Sequence, residues 1–226
     1  APTKTAEAFT SFFLKPIFPF LSEKVYTKVF FKSTSLQKGA VKLITLQRFF
    51  AYYVVEGVED MPKISDYDRK AAVEYAHEWA YFRNPAFYNY QLLGGDCTNF
   101  ASQCIYAGSK VMNYTPVFGW YYRSPNDKTP SWTGVRFLYN FLTSNKGLGP
   151  FGSEVDIKSA EPGDIVQLAV SSDNYHHTPV IVKVEGEPTL DTVFVAAHTN
   201  DCDCRPLSSY QGVRKMRFIH IEGVRK

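Results

Sequence analysis

Cysteine is scarce in this chain, with four among 226 residues, too few for a disulfide-stapled scaffold of that length. Long apolar runs are missing as well. The longest, Phe49–Val55, has seven residues against the ~20 that a spanning helix needs, so no transmembrane helix is expected. Nor is there a strong excess of charge. Lys and Arg number 25 against 22 Asp and Glu, a net charge of +3, and the basic residues are scattered instead of forming the run that marks a nucleic-acid-binding arm. Heptads, a Gly-X-Y period and internal repeats are lacking, and no signal-peptide pattern is read. What is abundant is aromatic: 18 Phe, 15 Tyr and 3 Trp. With 45% hydrophobic and 21% charged residues, such a chain can bury a sizeable core and is not expected to be disordered.

The composition changes along the chain. Residues 1–64 carry aromatic clusters such as Phe12-Phe13, Phe30-Phe31 and Phe49-Phe50 but no Cys, His or Trp, and they read as an N-terminal appendage to a domain over residues 65–226. Asp66 and Asp68 are N-cap candidates for an amphipathic helix over Arg69–Phe82. Asn84-Pro85 ends it, because a residue before proline avoids the α region. Gly94-Gly95-Asp96 is a tight turn. A second helix follows over Cys97–Ala107, with Gly108 as its expected stop, and Ser131 caps an expected third helix over Trp132–Asn145. From Glu161 the pattern changes to period two. Strands are expected near Asp164–Val170, Thr178–Glu185, Thr192–Thr199 and Lys215–Glu222. Helices first and antiparallel strands afterwards argue for an α+β fold.

The sharpest chemical feature is Gly94-Gly95-Asp96-Cys97-Thr98-Asn99-Phe100, which sets a thiol on the first turn of a helix. The N–H groups and dipole there favour thiolate over thiol and can stabilise an oxyanion beside the sulfur. The plainer reading is a small buried core residue. A thiol nucleophile needs a base, and the candidates are His77, His176, His177, His198 and His220. His77 mid-helix and His220 in the last strand read as structural. His177 at a strand entrance and His198 at the next strand's end are brought near each other by antiparallel pairing. That lets His198 orient His177, with Asn200 as the alternative orienter. Cys97 and Cys104 on one helix are separated by roughly 10 Å and so cannot bridge each other.

Several segments in order resemble the bacterial "putative amidase domain" family. They are Asp96-Cys97-Thr98-Asn99-Phe100-Ala101-Ser102-Gln103-Cys104, Gly119-Trp120-Tyr121-Tyr122-Arg123-Ser124, Trp132-Thr133-Gly134-Val135, Pro162-Gly163-Asp164-Ile165, His177-Thr178-Pro179, Ala197-His198-Thr199 and Arg205-Pro206-Leu207-Ser208-Ser209-Tyr210, with Arg217-Phe218-Ile219-His220-Ile221 at the end. The resemblance covers about Tyr67–Gly223. That family is similar to the papain-like cell-wall hydrolases of the NlpC and CHAP types. The resemblance implies a papain-like α+β fold and a catalytic set of Cys97, His177 and His198 or Asn200. It also implies acyl transfer through a thioester on peptidoglycan stem peptides by a secreted or wall-associated monomer that needs no cofactor and no metal. Gln91, six residues before the cysteine, has the spacing of the papain oxyanion glutamine. Trp120, Tyr121 and Tyr122 are expected to wall the cleft, the alternative being a packed loop.

Two other readings compete. A zinc hydrolase would use His198, Cys202 and Cys204 with a histidine from residues 173–177, although Cys-X-Cys is tighter than usual zinc spacing. A non-catalytic wall-binding module would keep the fold without the chemistry.

Overall fold

The computed structural model describes residues 62–171 and 174–226, which lie in the second of two units of the chain, Met61–Lys226. The expected appendage over residues 1–64 falls almost wholly outside the described residues.

Ten strands and four α-helices alternate irregularly along the described chain. The first strand, β1 (Ile64–Ser65), precedes α1 (Arg69–Trp79) and α2 (Cys97–Ser109). The hairpin β2 (Tyr122–Ser124) and β3 (Asp127–Lys128) leads to the short α3 (Pro130–Thr133) and α4 (Val135–Ser144). Then come β4 (Gly149–Val155), β5 (Ile165–Ala169), β6 (Tyr175–His177), β7 (Val180–Val184), β8 (Val193–Ala197), β9 (Cys202–Pro206) and β10 (Lys215–Arg225). Eight strands join in one antiparallel sheet ordered β1-β10-β5-β7-β8-β9, with β4 added to β10 and β6 to β5. Strand β10 organises one side of the sheet. Its first half pairs with β5 and its second with β4 and β1, with a register shift between Ile221 and Gly223. Such bulges bend a strand and increase its twist. The result is α+β, as the order of patterns predicted.

The strands bury both faces, and period two sorts them. Ile165, Val180, Val182 and Ile219 join one core with Phe100, Ile105, Leu138 and Leu142 of the helices. Val166, Leu168, Ile181, Val195 and Phe218 form the other with Leu207. Gln167 is the polar residue inside this pattern. Its side chain accepts from Arg217 Nε at 2.9 Å and donates to the Val135 carbonyl at 2.9 Å, as a buried amide must.

Three expectations change. Helix α1 ends at Trp79 instead of Phe82. The single helix over Trp132–Asn145 is two, because Gly134 is extended (φ −112°, ψ 123°) and breaks it. Gly108 does not stop α2, which runs to Ser109 and ends on Lys110 at φ 56°. Gly108 serves close approach instead. A Cβ there would overlap the Tyr67 ring and lie 2.7 Å from the Asp68 carbonyl oxygen.

Candidate functional site around Cys97

The site is built on α2, the most enclosed element. Twelve of its thirteen residues are buried. Five of the twelve are polar, and besides Ser109 at the C-terminal end each side chain meets a partner from another element. Thr98 Oγ1 lies 3.2 Å from Thr178 Oγ1, and Asn99 Oδ1 accepts from Trp132 Nε1 at 2.9 Å. Ser102 Oγ accepts from Trp120 Nε1 at 3.1 Å, and Gln103 Oε1 accepts from Tyr75 Oη at 2.7 Å. Burying polar groups is tolerable only when they are satisfied, and these bonds fix the orientation of the helix that carries Cys97.

Its N-terminus is fastened by Asp96. The carboxylate is fully buried, accepts from the Tyr90 N–H at 2.9 Å and Asn99 Nδ2 at 2.9 Å, and lies 2.6 Å from His198 Nδ1. Arg83 Nε stands 3.4 Å from it. The carboxylate therefore makes no capping bond to the first turn of α2. The N–H groups of that turn, which have no intrahelical acceptor, are not consumed by their own N-cap side chain. The preceding glycines make the approach possible. Gly94 and Gly95 have φ of 101° and 107°, and Gly95 leaves room for Thr199, whose Oγ1 would lie 3.1 Å from a Cβ. That hydroxyl accepts the Asp96 N–H at 2.9 Å.

The sulfur of Cys97 lies against the main chain on either side of His177. It is 3.9 Å from the His176 carbonyl oxygen, and the Thr178 N–H points at it. His177 is half-buried on β6 while His176 is exposed, the alternation of a strand distinguishing the two neighbours. The His177 ring meets Tyr210 at 5.7 Å between centroids. Arg205 stacks over Tyr210 at 4.0 Å. Tyr210 is the residue of this cluster that sequence reasoning missed. Its only signal was its place at the end of the Arg205–Tyr210 motif.

The electrostatics differ from the expectation of a lowered thiol pKa. Burial pushes the Cys97 thiol up from its ordinary value, outweighing the N–H groups of Thr178 and Thr98 that favour the thiolate. Burial also holds the His177 imidazole down at about 4, with His176 and Arg205 adding to the shift. At rest the thiol and the imidazole are thus both neutral. Alkylation of Cys97 by iodoacetamide, located by mass spectrometry, is accordingly expected to be slow at pH 7 and still rising above pH 9. A plateau reached below pH 7 would contradict the burial effect.

The other predicted site residues are placed as follows. His198 does not turn to His177. Both of its ring nitrogens are engaged elsewhere, Nδ1 by Asp96 and Nε2 by the Trp79 carbonyl at 2.9 Å, and its ring stacks on Phe100 at 4.0 Å. Strand pairing brings β8 beside β7, but His198 lies beyond the last β8 residue and its ring is drawn under α2. Asn200 sits in an exposed turn at φ 67°. Gln91 reaches the glycine turn, its Oε1 accepting from Thr199 Oγ1 at 3.4 Å. Of the expected cleft walls, Trp120 and Tyr122 are core residues packed on Trp132 at 4.9 and 5.8 Å, with no face left for a ligand. Tyr121 is half-buried, and its hydroxyl donates to Asp127 at 2.9 Å. His220 is structural as expected, its Nδ1 lying 3.0 Å from Asp164 Oδ2.

The zinc set drawn from the sequence is not assembled. His198 is committed to Asp96 and Trp79, and Cys202 Sγ lies 3.7 Å from Tyr210 Oη. All four cysteines are free thiols. Among the described residues no helix is long and apolar enough to cross a membrane.

The model of the family described as "Putative amidase domain" matches residues 66–221, from the turn before α1 into β10. The "Uncharacterized protein YhbB" of Bacillus subtilis (strain 168) is 36% identical over 168 residues, covering 69% of this chain and 50% of that protein. The match thus spans half the length of that relative. No solved structure matches. With the family match covering more than half of the chain and every motif of the Cys97 site inside it, the chain belongs to the "Putative amidase domain" family.

Proposed function

We propose that the chain is a cysteine-dependent amide hydrolase of papain-like organisation, acting outside the cytoplasm on the stem peptides of peptidoglycan. Membership of an amidase-domain family supports the reaction class. The observation that carries the mechanism is the seating of Cys97 Sγ between the His176 carbonyl and the Thr178 N–H, on the strand that bears a neutral His177.

In this reading His177 acts as general base. It takes the thiol proton as the sulfur attacks an amide carbonyl, then returns that proton to the leaving amine. A neutral imidazole is the form that can accept a proton, and burial supplies it at every pH above about 4. The first-turn N–H groups of α2, left free by Asp96, stabilise the oxyanion. Water then hydrolyses the thioester. Asp96 and His198 act as positioning residues that hold the helix terminus, and Tyr210 buttresses the imidazole. Gln91 stands beside the glycine turn and contributes to substrate or oxyanion contacts from there. The exposed Leu92 and Leu93 on the same turn offer the apolar contact that Trp120 and Tyr122 do not.

The test is release of new amino groups from purified peptidoglycan, with the acyl-enzyme trapped by acid quench and located on Cys97 by mass spectrometry. The acid limb of kcat/KM, which reports the free enzyme, is expected near pH 4, because His177 loses its basic form only as pH falls through about 4. An acid limb at the ordinary histidine value of 6.5 would remove the buried base from the mechanism. Binding to the wall with no amine released on prolonged incubation would favour the non-catalytic module.

A further inference from the structure

The Cys202-Asp203-Cys204 run has no part in the Cys97 mechanism beyond the contact of Cys202 with Tyr210, yet its backbone is irregular in a specific way. On β8 and β9, Val195 pairs with Arg205 and Ala197 with Cys202. One residue, Ala196, therefore faces two, Asp203 and Cys204. That is a β-bulge, and Cys204 adopts φ 50°, a conformation uncommon for a non-glycine residue. In a regular strand Asp203 and Cys204 would point to opposite faces. The bulge suspends that alternation and brings both side chains to one place, the C-terminal end of α1. There His77 Nδ1 lies 2.9 Å from each Asp203 carboxylate oxygen. Donor atoms of His77, Asp203 and Cys204 all lie within 4.8 Å of one another. Among the described residues this is the one group of three or more His, Cys, Asp or Glu side chains so gathered.

We propose that His77, Asp203 and Cys204 form a binding site for a zinc-class divalent ion that clamps the end of α1 to the bulge of β9. Imidazole, carboxylate and thiolate are the donor types such an ion takes, three from the protein with a fourth position for water. Bulges recur where a side chain must be re-aimed. Here the Asp203 N–H is held by Tyr81 Oη at 3.2 Å, which anchors the bulge to the chain just after α1. The ion takes the place of the proton between His77 Nδ1 and Asp203, the neutral ring then carrying its proton on Nε2, and displaces the thiol proton of Cys204, which goes to solvent. The charged neighbour on the Cys204 side is Lys183, which is paired with Glu185. His77 and Cys204 are exposed, so the ion has an entry path. This site is separate from Cys97 and stands whether or not the amidase reading does.

The full chain, reduced with a phosphine, is to be titrated with Zn(II) by calorimetry and with Co(II) by absorbance. One equivalent of Zn(II) is expected, together with a near-ultraviolet thiolate-to-cobalt band. Cys204→Ser abolishes the band, and His77→Gln weakens binding by at least tenfold. Cys97→Ala and Cys202→Ser leave both unchanged. Because Cys204 and His77 are exposed, their variants fold, and circular dichroism verifies it. Less than one equivalent bound by wild type, or a band that survives Cys204→Ser, overturns the proposal. Loss of the band in Cys97→Ala instead assigns the ion to the Cys97–His177 pair and overturns it equally.

Discussion

Cys97→Ala is expected to lower amide release from peptidoglycan by a factor on the order of 10⁶, as removal of the nucleophile does in acyl-transfer enzymes whose residues act as a unit. The fold is expected to survive. The thiol is buried at 6% exposure, its sulfur contacts are long, and losing one sulfur atom from a packed site costs about 1 kcal/mol. The variant should therefore bind wall fragments and unfold in urea near the wild-type midpoint while releasing no product. Activity within tenfold of wild type would end the cysteine-dependent reading. Activity lost together with a collapsed urea midpoint would instead show that Cys97 is a packing residue.

Asp96→Ala is expected to destabilise the domain by about 3–5 kcal/mol, the cost of removing one partner from a buried ion pair. The carboxylate serves the Tyr90 N–H, Asn99 Nδ2, His198 Nδ1 and Arg83 at once. Removing it leaves the Tyr90 N–H and the Asn99 amide without that acceptor and His198 Nδ1 without its partner at 1% exposure. Water has little room to replace it. Asp96→Asn separates the two contributions. It keeps an oxygen acceptor and loses the charge, so its urea midpoint should lie between those of wild type and Asp96→Ala. An Asp96→Ala variant within 1 kcal/mol of wild type would mean that the network is not what holds the N-terminus of α2.

The roles of Asp96 and His198 also show where sequence reasoning stops. Asp96 was visible only as the end of a tight turn before a candidate nucleophile. Its carboxylate leaves the main-chain N–H groups of the first turn uncapped and bonds partners 3 to 102 positions distant in sequence. His198 was placed beside His177 by strand pairing alone. Pairing sets the distance between strands but not the direction in which a side chain at a strand's end turns, and the Trp79 carbonyl and Asp96 decided that direction. Between cleft wall and packed loop, Trp120 and Tyr122 were undecided for a related reason, and both are core. Composition identifies Trp120 and Tyr122 as large and apolar but cannot say whether Trp132 covers them.

What the sequence determined by itself was local. The period-two pattern after Glu161 specified the strands of an antiparallel sheet, and a glycine pair before Asp96-Cys97 specified a thiol at a helix start. Both follow from the preferences of neighbouring residues for one backbone conformation. The tertiary structure alone decided the rest. It enclosed α2 on nearly every side, and that enclosure raises the Cys97 thiol and lowers His177 by the same desolvation. It brought Tyr210 to the imidazole, and it bulged β9 so that His77, Asp203 and Cys204 converge. Burial, charge and convergence depend on residues far apart in the chain, and no local pattern encodes how closely they pack.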